Sequence, residues 1–232
     1  MFIFITIVLD MLALGMIIPV LPHLIEDFLG GDTAGAAKVY GVFGTAWALM
    51  QFVSMPFMGA LSDRFGRRRV ILISNLGLGL DYVLMALAPN LAWLFVGRII
   101  SGICAASVST GMAYVADVTP VERRSAAFGK LGVAFGLGFV LGPALGGMLG
   151  SIDPRLPFWA AAGFSLANAL YGLFVLPEAL LPERRRPFEW RRANPMGSLK
   201  LLRSHPELFG LAGVLFLSRL AHAALPATFV RY

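Results

Sequence analysis

Residues 59–69, with the sequence GALSDRFGRRR, separate two long apolar stretches of the chain by a short and strongly basic segment. Gly66 permits a tight turn between two helices, because glycine adopts backbone angles that other residues avoid. Asp63 can cap the following helix or accept hydrogen bonds from an arginine. A basic loop beside a membrane would explain the arginines but not the order Gly-x-x-x-Asp-Arg-x-Gly-Arg. The segment therefore predicts a structured junction between two helices.

The composition is typical of a membrane protein. Of the 232 residues, 58% are hydrophobic and 14% are charged, whereas a soluble domain has about 45–50% apolar and about 25% charged residues. A bilayer core about 30 Å thick requires about 20 apolar residues in a helix. We therefore predict an all-α integral membrane protein. Its apolar runs lie at roughly 2–25, 39–61, 70–88, 91–116, 126–150, 157–177 and 208–231.

Cationic side chains are concentrated in alternate loops, which predicts the orientation in the membrane. These loops contain Arg64, Arg67, Arg68 and Arg69, then Arg123, Arg124 and Lys130, and then Arg184, Arg185, Arg186, Arg191, Arg192, Lys200 and Arg203. The opposite loops contain Lys38 and Arg155, beside Glu26, Asp27, Asp32 and Asp153. Basic loops face the cytoplasm, so the N-terminus is predicted to be cytoplasmic in a multi-pass protein of the inner (plasma) membrane. The net charge of +6 then marks topology, and we expect no nucleic-acid partner, which would need a basic face with stacking aromatics.

Several other classes of function find no support in the sequence. The single cysteine, Cys104, excludes an internal disulfide framework and a Cys-based zinc site. The three histidines have no ligand spacing, and no nucleophile–base pair is visible. We therefore expect no metal and no organic cofactor, and a membrane enzyme is the weakest of the hypotheses.

The order of the runs predicts the domain organisation. We expect a six-helix bundle at 1–177, a cytoplasmic interdomain linker at 178–207, and a seventh membrane helix at 208–232 that starts a missing C-terminal bundle. The first apolar run begins at the start of the chain and the seventh stands alone at its end, so we expect the chain to be incomplete. The spacing of Gly41, Pro56 and Gly59 in the second run nearly repeats in the fifth as Gly129, Pro143 and Gly146. This echo suggests a three-plus-three inverted repeat, as in transporters.

The segment 59–69 resembles the signature loop of the major facilitator superfamily. Leu9-Asp10 with Pro19 and Pro22 resembles the helix-one motif of its drug exporters. Gly97-Arg98 with Gly102 is similar to the helix-four basic motif, and Leu176-Pro177-Glu178 to the exit from helix six. Gly138, Gly142, Pro143, Gly146 and Gly147 match the helix-five antiporter motif. The resemblance is strongest to the tetracycline/proton antiporters and covers about half of a full member, so it implies the major facilitator fold, with protons as coupling ion.

The resemblance also implies a cytoplasmic gate. In the family, the aspartate at the position of Asp63 and the arginine at the position of Arg67 form a charge network with an acidic residue that ends helix four, here Asp117. The network closes the cytoplasmic side of the outward-facing transporter. A static ion pair that only fixes topology is the alternative. The implied gating motif consists of Gly59, Asp63, Arg64, Gly66, Arg67, Arg68 and Asp117.

Polar residues within the apolar runs are candidates for proton coupling or substrate binding. A carboxylate in hydrocarbon is costly unless it is paired, hydrated or protonated, which suits Asp10 and Asp81 to carrying protons. Similar exporters have functional residues at the positions of these two aspartates, of Arg98 and of Gln51. Each could instead be a buried structural group. Asn75 and Asn168 could form helix–helix hydrogen bonds, worth about 0.6 kcal/mol in membranes.

Glycines recur every four residues in the fifth run, which predicts close helix packing. Gly138, Gly142, Gly146 and Gly150 form this row, and Gly132 and Gly136 add another pair. Small residues at this spacing let helix backbones approach each other, and Pro143 can kink the helix. Arg219, near the middle of the seventh run, has no explanation within that run.

Three hypotheses follow. The first is a proton-coupled antiporter that exports tetracycline-like or other amphipathic drugs by alternating access, or a related transporter of another small metabolite. Its partners would be a small-molecule drug, the lipid bilayer, and the missing C-terminal half or a second copy. The second is a non-transporting protein: a truncated remnant, a receptor or a scaffold. A receptor usually has its N-terminus outside, contrary to the charge pattern. The third is the membrane enzyme.

Overall fold

The computed structural model describes residues 2–105, 107–190, 193–197, 207 and 209–218. Seven long helices run through these residues, and no strand occurs among them. They are α1 (Phe2–Phe28), α2 (Thr33–Phe65), α3 (Arg67–Ala86), α4 (Leu91–Ala105), α5 (Ser107–Val118), α6 (Arg124–Gly150) and α7 (Leu156–Val175). A shorter apolar helix follows at Phe209–Ser218.

Six segments are long and apolar enough to cross a membrane, and α4 and α5 together form the fourth of them, Leu91–Val118. The prediction of an all-α membrane fold is confirmed. The remainder of the seventh run and Arg219 lie outside the described residues. The helix bounds differ from the predicted runs because polar residues extend the helices. Asp32 caps α2, with Oδ1 accepting from the Gly35 N–H at 2.9 Å, and α3 begins at Arg67 instead of after the arginines.

Helix α1 lies at the centre of the bundle and packs against α6 and α7, while α3 packs against α7 and α4, and α2 against α4. Large side chains fill the interior. They include Met16, Ile17, Tyr82, Met85, Leu94 and Phe158. Lipid is as apolar as these side chains, so van der Waals packing holds such an interior together. Helices α2 and α6 leave much of their apolar surface exposed.

The seam between α1 and α6 is a contact of backbone on backbone. A Cβ atom added at Gly142 would lie 2.7 Å from the Gly15 Cα, and one added at Gly146 would overlap the Met16 carbonyl oxygen. Gly138 is equally close to Met11. The predicted row of Gly138, Gly142, Gly146 and Gly150 therefore faces α1, where a Cβ atom at Gly150 would lie 3.0 Å from a Val20 methyl group. A Cβ atom on the remaining glycines of α6 would have no atom within 4 Å, and these residues face outward: Gly129, Gly132, Gly136 and Gly147.

Arginines complete the ends of two helices. Arg155 donates from Nη1 to the Ala86 carbonyl at 3.0 Å and from Nη2 to the Ala88 carbonyl at 3.1 Å, at the end of α3. Arg124 donates to the Ala116 carbonyl at 3.0 Å near the end of α5. The last carbonyls of a helix have no partner within it, and a guanidinium supplies several donors at once.

We predict that Gly142→Ala lowers the free energy of unfolding, by about 1–3 kcal/mol, because the methyl group forces α1 and α6 apart. Gly147→Ala makes the same chemical change in the same helix on an open face, so it should leave stability unchanged or slightly raised. Thermal unfolding of both variants in detergent provides the measurement. Equal melting temperatures would show that the seam does not depend on the absence of a side chain.

Candidate functional site

The predicted charge network is assembled at the junction between α2 and α3. Arg67 pairs through Nη1 with the Asp63 Oδ1 at 2.6 Å and through Nε with the Asp117 Oδ2 at 2.9 Å. Its Nη1 also donates to the Ser62 Oγ at 2.6 Å. The Arg67 side chain is only 11% exposed, whereas its partners are 41% and 28% exposed. One arginine thus joins the ends of α2, α3 and α5.

Gly66 meets two requirements of this junction. Its φ angle of 101° lies in the region that favours glycine. A Cβ atom there would also overlap an oxygen of Glu178. No other residue type satisfies both the backbone angle and the lack of space.

Glu178 caps the start of α3 from a segment more than a hundred residues away. Its Oε1 accepts from the backbone N–H of Arg67 at 2.8 Å, and also from those of Ala179 and Leu180 at 3.0 and 3.1 Å. A carboxylate at a helix N-terminus satisfies free N–H groups and interacts favourably with the helix dipole. The sequence placed Glu178 only at the exit from a helix and gave no local signal of this cap.

Arg68 makes the reciprocal contact with the end of α7. Its Nε donates to the Gly172 carbonyl at 3.5 Å, and its Nη2 donates to the Leu173 carbonyl. The start of α3 and the end of α7 therefore cap each other through Glu178 and Arg68. Tyr114 adds a bond from its hydroxyl to the Pro177 carbonyl at 3.0 Å.

Two residues of the predicted gating motif lie apart from these contacts. Arg64 is exposed, and its guanidinium lies 5.1 Å from the centre of the Phe65 ring. Gly59 has open space around it, and its carbonyl accepts from the Ser62 hydroxyl at 2.8 Å.

The segment after α7 continues along the junction. The Arg186 N–H donates to the Asp63 carbonyl at 3.1 Å. Phe188 and Trp190 then form an aromatic cluster with Phe57 of α2, with ring centres 5.1–6.1 Å apart. The beginning of the predicted linker is thus in contact with the bundle.

Asp10 is held inside the bundle by two carboxamides. Asn168 of α7 donates from Nδ2 to the Asp10 Oδ1 at 2.8 Å and contacts the Thr6 carbonyl at 2.8 Å. In the amide orientation that satisfies its neighbours, Asn75 of α3 donates to the two Asp10 oxygens at 3.2 and 3.3 Å. Both asparagines are 0% exposed. The structure therefore brings Asn75 and Asn168 to a residue with which the sequence did not connect them.

Asp81 and Arg98 form a second polar group, nearer the other membrane face. Asp81 lies on α3 six positions after Asn75, which is about 9 Å along the helix axis at 1.5 Å per residue. The Arg98 guanidinium lies 5.4 Å from the centre of the Trp47 ring, and the opposite charges of Arg98 and Asp81 attract each other. Among the described residues, neither Asp81 oxygen nor the Arg98 Nε has a hydrogen-bond partner.

Gln51 remains separate from both polar groups as far as hydrogen bonds are concerned. It is half-buried on α2, and no hydrogen bond joins its side chain to the part of the chain that the structure describes. Its predicted place in a binding cavity is therefore still a prediction.

We predict that Glu178→Ala lowers the free energy of unfolding by about 1–2 kcal/mol, as the loss of a helix cap does. The N–H groups at the start of α3 would lose their acceptor in a half-buried place. Glu183→Ala is a matched control, since Glu183 is a nearby exposed glutamate. Chemical or thermal unfolding in detergent should separate the two variants. If both are as stable as the unchanged protein, the cap contributes nothing.

Comparison with known proteins gives a uniform result. The sequence model of the Major Facilitator Superfamily matches residues 3–232. The tetracycline resistance protein, class C, of Escherichia coli is 43% identical over 215 residues, which are 93% of this chain and 54% of that protein. The class D protein of Salmonella ordonez is 40% identical over 84% of this chain and 49% of its own length. The chain thus spans about half the length of the curated relatives it matches.

A solved structure is similar in fold as well. The crystal structure of the human organic anion transporter MFSD10 (TETRAN) superposes with a TM-score of 0.73 and 30% sequence identity. The similarity covers 83% of this chain and 51% of that one. The helices described above therefore have the arrangement of half of a solved transporter.

Proposed function

This chain belongs to the Major Facilitator Superfamily, and we propose that it forms the N-terminal half of a proton-coupled antiporter that exports tetracycline-like or other amphipathic drugs. It is a multi-pass membrane protein related to tetracycline efflux proteins. The proposed location is the inner membrane, with the N-terminus in the cytoplasm. Residues 1–177 form the proposed bundle, 178–207 the linker, and 208–232 the start of the second bundle.

The surroundings of Asp10 are the observation that carries the proposal. Helices α3 and α7 each direct one carboxamide to the Asp10 carboxylate of α1. A carboxamide has both donors and an acceptor, so it can bond either the ionised or the protonated carboxyl group. A group that must gain and lose a proton inside a membrane needs partners for both forms, because an unsatisfied polar group there costs several kcal/mol.

The junction supplies the proposed gate. The Asp63 and Asp117 carboxylates are partly exposed, so water can replace the bond that either of them loses when its pair with Arg67 breaks. Pairs of this kind at one membrane face can bias an equilibrium between two states without locking it. In this proposal the pairs close the cytoplasmic side, and substrate binds between the two halves near the bilayer midplane. Asp81, Arg98 and Gln51 complete the proposed proton and substrate sites.

Organic anions are a second candidate class of substrate. The similarity to the organic anion transporter MFSD10 favours them, and so does the buried cation Arg98, whose Nε has no partner among the described residues. An anion that approached this group would find an unpaired donor and a positive charge.

We predict that Asp10→Asn in the complete transporter that contains this chain reduces drug export at least about tenfold, equivalent to about 1.4 kcal/mol. The amide cannot release a proton, although it retains the shape of the carboxyl group and, like its protonated form, has one accepting oxygen beside a donor. Tetracycline accumulation and susceptibility in cells provide the measurement. Asp27→Asn is the control, because Asp27 is an exposed carboxylate of the same helix.

The same assay distinguishes the candidate substrates. Drug export is supported if the unchanged transporter lowers tetracycline accumulation in cells, and if Asp10→Asn abolishes this effect whereas Asp27→Asn does not. Export of a panel of organic anions without any drug export would favour the second candidate. If no compound is exported and Asp10→Asn changes nothing, the transporter function proposed here is wrong. The 232-residue chain alone is expected not to transport unless two copies pair, since the site lies between two halves.

A further inference from the structure

A small cavity lies beside Asp10. Its volume is about 10 Å³, and its lining includes Thr6 and Asp10 of α1, Ile71 of α3, and Val108 and Gly111 of α5. A cavity needs at least about 10–15 Å³ to hold one water molecule, and this cavity lies at the lower end of that range. The remaining requirement for a bound water is at least two polar partners.

Thr6 and Asp10 are the two polar residues that line the cavity. They are four residues apart on α1 and therefore share one face of the helix. Thr6 is 1% exposed, and its Oγ1 has no hydrogen-bond partner among the described residues. Asn168 contacts both the Thr6 carbonyl and the Asp10 carboxylate at 2.8 Å, which fixes the two residues relative to each other. A buried hydroxyl without a partner is costly, and a water between it and Asp10 would satisfy it.

We propose that this cavity binds one water molecule between the Thr6 hydroxyl and the Asp10 carboxyl group, and that the water relays the proton of Asp10 to the junction side of the membrane. The inference rests on the proposed function, since it concerns how the same Asp10 is reached. The cavity lies on the side of Asp10 towards the start of α1, because Thr6 is one helical turn nearer that end. Ile71 is likewise near the junction end of α3.

In the relay, the carboxyl O–H bond of Asp10 breaks, and its proton bonds to the oxygen of the bound water. That water passes one of its other protons to the Thr6 oxygen, and the original hydroxyl proton of Thr6 goes to a second water molecule, which enters from the junction side when the transporter is open there. Asp10 becomes a carboxylate, the bound water and Thr6 are restored, and one hydronium ion is formed in solution. The reverse sequence protonates Asp10.

Thr6→Val tests the proposal in the complete transporter, because valine matches threonine in shape but has no hydroxyl. We expect proton-coupled exchange to slow by about tenfold, equivalent to about 1.4 kcal/mol, with unchanged equilibrium drug binding. Thr6→Ser, which retains the hydroxyl, should exchange at close to the normal rate. Thr110→Val is the matched control: Thr110 is also 1% exposed, and its hydroxyl also has no partner among the described residues, but it does not line the cavity.

Infrared difference spectroscopy in normal water and in water labelled with oxygen-18 detects the bound water directly. We expect an isotope-sensitive water band upon titration of the unchanged transporter, its loss in Thr6→Val, and its retention in Thr110→Val. Absence of the band in the unchanged protein, or normal exchange by Thr6→Val, would overturn the relay. Either result would leave the proposed function intact if Asp10→Asn still reduces export, whereas normal export by Asp10→Asn would overturn the role of Asp10 and the relay with it, and absence of any export by the unchanged transporter would overturn the proposed function.

Discussion

Inside a bilayer, every backbone polar group must find its partner within the protein, because no water is available in the hydrocarbon. The ends of α3 and α7 illustrate this constraint. Glu178 supplies the acceptor for the start of α3, and Arg68 supplies donors for the end of α7. Arg155 does the same at the other end of α3. Helix α3 is thus fixed at both ends by residues outside it, and it carries Asn75 and Asp81 between those ends.

The junction combines fixed and weak contacts around a single residue. The backbone N–H of Arg67 is held by Glu178, while its side chain pairs with Asp63 and Asp117. The backbone contact is part of a helix cap and would persist if the ends of α2 and α5 moved. In the side-chain pairs only the carboxylates are partly exposed, and one pair can break while the other still holds the Arg67 guanidinium. A gate built in this way, as we propose, can open through Asp117 without unfolding the start of α3.

The sequence was sufficient to predict six membrane helices and the junction at Gly66, because apolar runs and charged loops are local signals. The meeting of Asp63, Arg67 and Asp117 was predicted from the family resemblance. The cap by Glu178 and the hydrogen bonds of Asn75 and Asn168 to Asp10 were not predictable in the same way. The cap joins positions 111 residues apart and the Asn168 bond positions 158 residues apart, and such pairs depend on which helix faces meet. The four-residue spacing of the glycine row in α6 was sufficient to predict close packing on one face, but it did not indicate that the partner of this face is α1.

The two intramembrane aspartates differ in a way that bears on their proposed roles. Asp10 has partners from Asn75 and Asn168 within this half of the transporter. Asp81 has an attractive charge on Arg98 but no hydrogen-bond partner among the described residues. A buried polar group without a partner raises the free energy of the state in which it occurs. The arrangement around Asp81 is therefore the one that a proton, an ion or a substrate can improve most, because binding would supply the missing bond. Asp10 has carboxamide partners for both its ionised and its protonated form, which suits it, in our proposal, to gaining and losing a proton while the groups around Asp81 respond to the substrate.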